Sequence, residues 1–452
     1  MKTILLLGAG KSATVLIAYL SRICAAHHWK LVVADASYAA AASKLVNPEI
    51  SEAVELDITD ETARRILITE ASVVISLLPP HLHIHAAHDC VAIGRHLLTA
   101  SYVDEAMRRL QDVIRQKELL FLCEMGLDPG IDHMSALQLL AAIQTSGGTV
   151  TGFLSHCGGL VAPESDNNPW HYKISWNPRN IVRAGSSGAR YLFGGKEVEK
   201  SYKDVFQNCP TLSVPGLPSL SWYPNRDSLS YLPLYQLTQL DTFIRTTLRF
   251  SPFCTGWNAV VQLGLTDETD AALLHSCTTL HQWLLRKIQH TGSNALTLQQ
   301  YLQANYPGPD AALIEQQFNW LQLQAAIPLP PHARCSADLL QHQMEQHLRL
   351  DANDKDLVVM VHEAIYRLQG ALRKRTSRLV VQGADSSHTA MATTVGLPLG
   401  IAARLLLEDK IPVRGLHIPI LPEIYRPVLA ELAQEGIVFE ETDELMETAA
   451  DY

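Results

Sequence analysis

Residues Ile4-Leu5-Leu6-Leu7-Gly8-Ala9-Gly10-Lys11-Ser12-Ala13 decide the fold. Four aliphatic residues in a row read as a buried strand, and a helix follows through Leu20. Between them lies a GxGxxA turn in the context that motif requires, strand before and helix after. Gly8 permits the tight turn, Gly10 lets the backbone approach a pyrophosphate, and Ala13 keeps the helix close to the sheet. Lys11 and Ser12 complete the loop at the helix N-terminus, whose unpaired N–H groups face an anion. A second strand, Leu31-Val32-Val33-Ala34, ends on Asp35. There a carboxylate accepts hydrogen bonds from a ribose hydroxyl, whereas a 2′-phosphate meets like charge. The pattern favours NAD over NADP, and Lys11 keeps dual use open.

Strand and helix continue to alternate through residue 125. Leu56-Asp57-Ile58 supplies a second strand-end aspartate, placed either near an adenine or as a helix cap, and Val73–Leu78 is a later strand stopped by Pro79-Pro80. This is a doubly wound parallel sheet. Leu119–Cys123 then leads into Gly126-Leu127-Asp128-Pro129-Gly130-Ile131-Asp132-His133. Asp-Pro-Gly forces a turn, and Ile131, Met134, Leu137 and Leu140 carry the period of a helix. A helix opening at a strand end, with Asp128 and Asp132 beside it, is where ligands sit in open α/β sheets. The plainer reading is that Asp128 only caps the helix.

Composition sets bounds on partners. The 452 residues, 47% hydrophobic and 18% charged, suit an ordinary globular protein of two or three domains. A net charge of −10 argues against nucleic acid or an anionic membrane as the main partner. Eight cysteines without a CxxC pair fit a reducing compartment. No apolar run of membrane-crossing length stands out, and Ile4–Leu7 is too short for a signal-peptide core, so a cytoplasmic protein is expected. His81, His83, His85 and His88 invite a metal reading, but no cysteine or acidic cluster adjoins them and a solvated helix start explains them as well. No metal is expected.

Residues 150–260 change character, with strand-like alternation at Thr151–His156 and aromatic, turn-rich loops after it. Thr242–Phe250 alternates as a strand with Arg245 and Arg249 on one face, which suits carboxylate recognition or simply surface charge. Residues 266 to about 350 are helix-like and glutamine-rich, broken by Asn305-Tyr306-Pro307-Gly308-Pro309. Strands resume at Leu357–Val361 and Leu379–Val381, a helix spans about Thr389–Leu407, and Ile437–Phe439 is strand-like.

Several stretches together resemble the saccharopine dehydrogenase/saccharopine reductase family. They are Val74–Pro79, Thr99-Ala100-Ser101-Tyr102, Gly126–His133, Cys157-Gly158-Gly159-Leu160, Tyr223–Ser228, Thr247-Leu248-Arg249, Thr394–Pro398 and Glu423-Ile424-Tyr425. The resemblance runs the whole chain. It implies a Rossmann domain at 1–125 completed by 394–452, a mixed α/β substrate and dimerisation domain at 126–265 and 351–393, and a helical insertion at 266–350. It also implies a homodimer and a reaction. Hydride leaves the lysine-side methylene of saccharopine for the nicotinamide, and water splits the imine into glutamate and 2-aminoadipate 6-semialdehyde. That chemistry needs an acid/base group. The family places Asp128 beside substrate and cofactor, where it is the first choice as proton acceptor or as orienter of the amine, with Tyr102 and Cys157 as proton carriers or contacts. Substrate contacts carry over to Ser101, Tyr102, Asp128, Arg226, Thr247 and Arg249. Nicotinamide-side contacts carry over to Leu78, Leu127 and Pro129, with Trp176 in the same cleft.

The fungal NADPH-using branch has a basic residue where this chain has Asp35, while the NAD-linked, glutamate-forming branch has an aspartate. Asp35 therefore points to NAD and the degradative direction, with NADP-dependent synthesis as the alternative. Phe250–Cys254 departs from the family's glycine- and lysine-bearing sequence, which bears on substrate length. A carboxynorspermidine-type dehydrogenase needs fewer carboxylate clamps than Arg226 and Arg249 supply, and a protein that senses NAD without turnover has no need of Asp128.

Overall fold

The computed structural model describes residues 1–237, 240–306 and 308–446. Pro307 of the proline-rich break and residues 447–452 of the C-terminal segment lie outside them. The chain divides into two units, Met1–Val150 with Met360–Tyr452, and Thr151–Val359. The sequence reading drew a boundary at Gly126; the division by contacts falls at Val150, after the helix that follows the Asp-Pro-Gly turn.

The first unit holds β1 (Thr3–Leu7), β2 (Lys30–Asp35), β3 (Ser51–Glu55), β4 (Val73–Ser76), β5 (His96–Thr99) and β6 (Leu120–Leu122). The sheet order is β3-β2-β1-β4-β5-β6, every pairing parallel. Ile4–Leu7 and all of β4 are buried, which is why these strands are unbroken aliphatic runs rather than alternating ones. The order reverses between β1 and β4, and this opens a crevice beyond their carboxyl ends. Helices α1 (Ala13–His27), α2 (His83–Ile93) and α3 (Ile131–Thr145) follow β1, β4 and β6.

The second unit contains β7 (Thr149–Val161, entered at its second residue pair), β8 (Ala189–Phe193), β9 (Lys196–Lys200), β10 (Thr211–Leu212), β11 (Leu220–Pro224), β12 (Arg226–Asp227) and β13 (Thr242–Phe250). Here β10, β11, β13 and β7 lie side by side, antiparallel except for the parallel β13–β7 pair, so the sheet is mixed. Helix α4 (Ser251–Gln262) and the five helices between Ala271 and His347 build an aromatic core around Trp170, Trp257 and Trp283. The helical reading of 266–350 agrees with this.

The chain returns through β14 (Asp356–Leu368) and β15 (Ala371–Gln382), then helix α5 (Ala390–Leu407) and β16 (Gly415–His417), which extends the parallel sheet beside β6. Thr394–Pro398 lies in α5. A Cβ on Gly396 would stand 3.0 Å from the Leu16 nitrogen, so glycine lets α5 press against α1. The sequence reading found no membrane-length apolar run, yet α5 is one by length and composition. It is 83% buried, and burial in the core accounts for its composition. Helix α6 (Pro422–Gln434) seats Ile424 and Tyr425. A further correction concerns Ile437–Phe439: the last strand, β17, is Glu440–Leu445, and its carboxylates pair across to β15. Cross-strand charge, not hydrophobicity, places it.

Candidate functional site

The glycine turn after β1 is held from three sides. Gly8 sits at φ +102°, and its N–H donates to the Ala34 carbonyl at 2.8 Å. A Cβ there would lie 3.0 Å from the Leu77 carbonyl oxygen, whereas one on Gly10 would meet nothing within 4 Å. The cradle is therefore tight against the sheet at Gly8 and open at Gly10, as an approaching pyrophosphate requires. The Ser12 side chain makes no capping bond at the start of α1, Ala13 is buried and Lys11 is exposed. The residues present fit a dinucleotide.

Asp35 ends β2 as read. Its Oδ2 accepts the Ala9 N–H at 2.7 Å and its Oδ1 the Ser37 N–H at 2.9 Å. The carboxylate thus braces the glycine loop. Lys44 completes the bracing, its ammonium donating to the carbonyl oxygens of Ala9 and Gly10. Burial lowers the Lys44 pKa against the opposing pull of Asp35. The sequence reading missed Lys44, because a lysine after an alanine run carries no motif. Asp57 lies beyond β3, where Thr59 donates to it from N–H at 2.9 Å and from hydroxyl at 2.7 Å. Those bonds hold its carboxyl below the usual range.

At the end of β6, Asp128 Oδ1 accepts from the Tyr102 hydroxyl at 3.3 Å. The helix-cap reading of Asp128 does not hold: Gly130 is the N-cap of α3, and Asp132 Oδ1 accepts the Gly130 N–H at 2.6 Å. Gly130 adopts φ +148°, and a Cβ there would fall 2.1 Å from the Gly126 carbonyl oxygen, so glycine at 130 is a steric necessity, while a Cβ on Gly126 would crowd the Ala100 Cβ at 3.1 Å. Leu127 and Pro129 are buried within this turn, and Leu78 is half-buried beyond β4. Behind it, buried Glu124 links the two loops. Its N–H donates to the Ser101 carbonyl at 3.1 Å, its Oε1 accepts the Val103 N–H at 3.2 Å, and its Oε2 lies 3.0 Å from His133 Nε2. Glu124, which the sequence did not single out, thus ties the residues flanking Tyr102 to His133 on the helix that follows Asp128.

His83, considered in sequence as a metal ligand, is instead buried among hydroxyls. Its Nδ1 is 2.7 Å from Ser76 Oγ, and its Nε2 is 2.8 Å from Ser101 Oγ and 3.3 Å from Thr99 Oγ1. Burial drives its pKa down to about 4, which leaves the ring neutral at physiological pH. Among the described residues no group of three or more His, Cys, Asp or Glu side chains is placed to hold a metal ion.

In the second unit, Tyr223, Thr247 and Cys157 are register neighbours on β11, β13 and β7. Arg249 follows on the same face of β13 as Thr247. The residue is 3% exposed, and its guanidinium makes no ion pair among the described residues. Nη1 donates to the Leu248 carbonyl at 2.8 Å, Nε has no partner, and the group lies over the rings of Tyr172 and Phe253 at 5.3 and 5.4 Å. Burial pushes the Tyr223 phenol up to about 12 despite the nearby arginine. The Trp176 indole donates to the Tyr172 hydroxyl at 3.1 Å, so it belongs to this aromatic wall. Arg226 is exposed, at φ +51°, on the short strand β12. A buried cation without an anion is costly unless a ligand completes it.

Two family descriptions match almost all of the chain. The saccharopine dehydrogenase NADP binding domain covers residues 4–122, and the saccharopine dehydrogenase C-terminal domain covers 126–437. The chain is 31% identical to the NADP(+), L-glutamate-forming saccharopine dehydrogenase of Schizosaccharomyces pombe, across 98% of this chain and 99% of that protein. It is 35% identical to the mitochondrial alpha-aminoadipic semialdehyde synthase of Rattus norvegicus, across 82% of this chain and 41% of that protein. The apo L-glutamate-forming saccharopine dehydrogenase of Saccharomyces cerevisiae superposes with a TM-score of 0.87 at 30% identity, covering 98% of this chain and all of that one. The chain belongs to the saccharopine dehydrogenase family.

Proposed function

We propose that the protein oxidises saccharopine with NAD, releasing L-glutamate and 2-aminoadipate 6-semialdehyde in lysine degradation. The observation that carries this reading is Arg249, a buried guanidinium with no anionic partner among the described residues. A substrate with three carboxylates supplies one, and Thr247 and the exposed Arg226 offer further donors. A bound nicotinamide supplies the acceptor for the hydride leaving the lysine-side methylene. Asp128 takes the proton as water adds to the imine carbon, and the Tyr102 hydroxyl, bonded to it, orients that carboxylate. Cys157 contacts substrate without becoming a nucleophile, since hydride transfer needs none.

Asp35 supports NAD, because a 2′-phosphate would meet its charge. Lys44 favours a second reading, in which NADP is also accepted: its ammonium sits on the same loop and offsets that charge. Assembly as a homodimer through the mixed sheet and a cytoplasmic location belong to the same proposal. Sedimentation equilibrium tests the former, and a monomer at micromolar concentration would remove it. The site itself is tested by calorimetric titration of saccharopine into wild type and Arg249→Met. Binding lost in the variant, with dinucleotide affinity retained, supports the reading; equal binding contradicts it.

A further inference from the structure

Four polar side chains meet beyond the carboxyl ends of β4 and β5, neighbouring strands of the parallel sheet. Ser76 is fully buried, and among the described residues its hydroxyl has one hydrogen-bond partner, His83 Nδ1 at 2.7 Å. Across the ring, Nε2 faces Ser101 Oγ at 2.8 Å and, more distantly, Thr99 Oγ1 at 3.3 Å. A neutral imidazole carries one N–H and one lone pair, so its two sides cannot behave alike.

If Nδ1 carried the proton, it would donate to Ser76 and leave that buried hydroxyl hydrogen with no acceptor. The Ser101 hydroxyl would then be consumed as the donor to Nε2. With the proton on Nε2, Ser76 donates to Nδ1 and is satisfied, and Nε2–H donates to Ser101 Oγ. Thr99 Oγ1 accepts the Ser101 N–H at 3.3 Å in either case. Unmade hydrogen bonds are the costly ones, which selects the second arrangement. Ser101 is half-buried, so its hydroxyl hydrogen then has somewhere to point.

We infer that His83 is a positioning residue: held as the Nε2–H tautomer by Ser76, it makes the Ser101 hydroxyl a fixed donor to a substrate carboxylate. This rests on the reading of Ser101 as a substrate contact. His83 touches no reacting atom, and its effect passes through Ser101. The Ser76–His83 pair is a device for choosing a hydrogen-bond direction, built from a residue whose ring cannot supply that choice alone.

Two measurements test it. In protein labelled with 15N-histidine, long-range 15N–1H spectra report which ring nitrogen of His83 is protonated, with the His83→Asn spectrum identifying its signals. Protonated Nε2 is expected; protonated Nδ1 overturns the inference, whatever the substrate proves to be. Ser76→Ala removes the bias and is expected to raise the KM for saccharopine about tenfold, with the dinucleotide KM unchanged. That increase is expected to vanish in a Ser101→Ala background, because the two act through one bond. An equal increase in both backgrounds, or none in either, would contradict the positioning role.

Discussion

Two sets of arginines in this molecule share a side chain and little else. On β15, Arg373, Arg375 and Arg378 face Asp443, Glu441 and Glu440 of β17, with Arg373 and Arg375 at 2.9 and 2.6 Å from their carboxylates. These pairs are partly exposed and complete within the chain. Arg249 is buried, lies over two aromatic rings and pairs with no carboxylate among the described residues. The first set fixes a strand whose own sequence, Glu440–Leu445, has little hydrophobic reason to be one. The second is unfinished without a ligand. Completeness of pairing, rather than charge, separates the arginines of β15 from Arg249, and the proposed function rests on that difference.

The comparison breaks if Arg249 proves dispensable. Arg249→Met is expected to lower kcat/KM for saccharopine about 1000-fold, in line with about 2–5 kcal/mol for losing one partner of a buried charged contact. Steady-state kinetics measure this, and a loss below tenfold would return Arg249 to a packing role. Asp128→Asn sharpens the distinction between binding and chemistry. It is expected to cut kcat at least 100-fold, the scale of general acid–base catalysis, with little change in dinucleotide affinity. Asp35→Ala moves the ratio of kcat/KM for NADP over NAD upwards by about tenfold; an unchanged ratio would take Asp35 out of cofactor choice. At the other end, Arg375→Ala removes one surface pair and is expected to cost under about 1 kcal/mol in urea unfolding, with activity unaffected.

His83 extends the contrast to a neutral group. Its folded pKa of about 4 lies below the ordinary 6.5, so the unfolded chain takes up the proton first as pH falls. Its contribution to stability is therefore present above pH 6.5 and is lost between about 6.5 and 4. His83→Gln is expected to flatten that part of the stability profile, measured by urea unfolding across the range.

Much of the fold was legible because it rests on local pattern. Ile4–Ala13 and the strand-end Asp35 specified the first βαβ unit, and the helix expected from about Thr389 to Leu407 is α5, with Thr389 as its N-cap. Asp128 was singled out by the Asp-Pro-Gly turn at a strand end, its role and Tyr102 were reached through resemblance, and their hydrogen bond follows from loops adjacent in the sheet order. What escaped was long-range. Glu124 reads as the end of an apolar run, and only folding shows that it ties Ser101 and Val103 to His133. Lys44 is distant in sequence from the loop it clamps. β17 eluded a hydrophobic search because the cations of β15 define it, and α5 went unmarked as a long apolar helix because burial alone shows what that composition is for.

The most direct test is to follow reduced-nicotinamide absorbance as purified protein meets saccharopine with NAD, then with NADP, while assaying glutamate. Reduction of NAD with one glutamate released per reduced dinucleotide is the predicted result, with NADP slower. No reduction with either dinucleotide, from protein that binds both, would contradict the account.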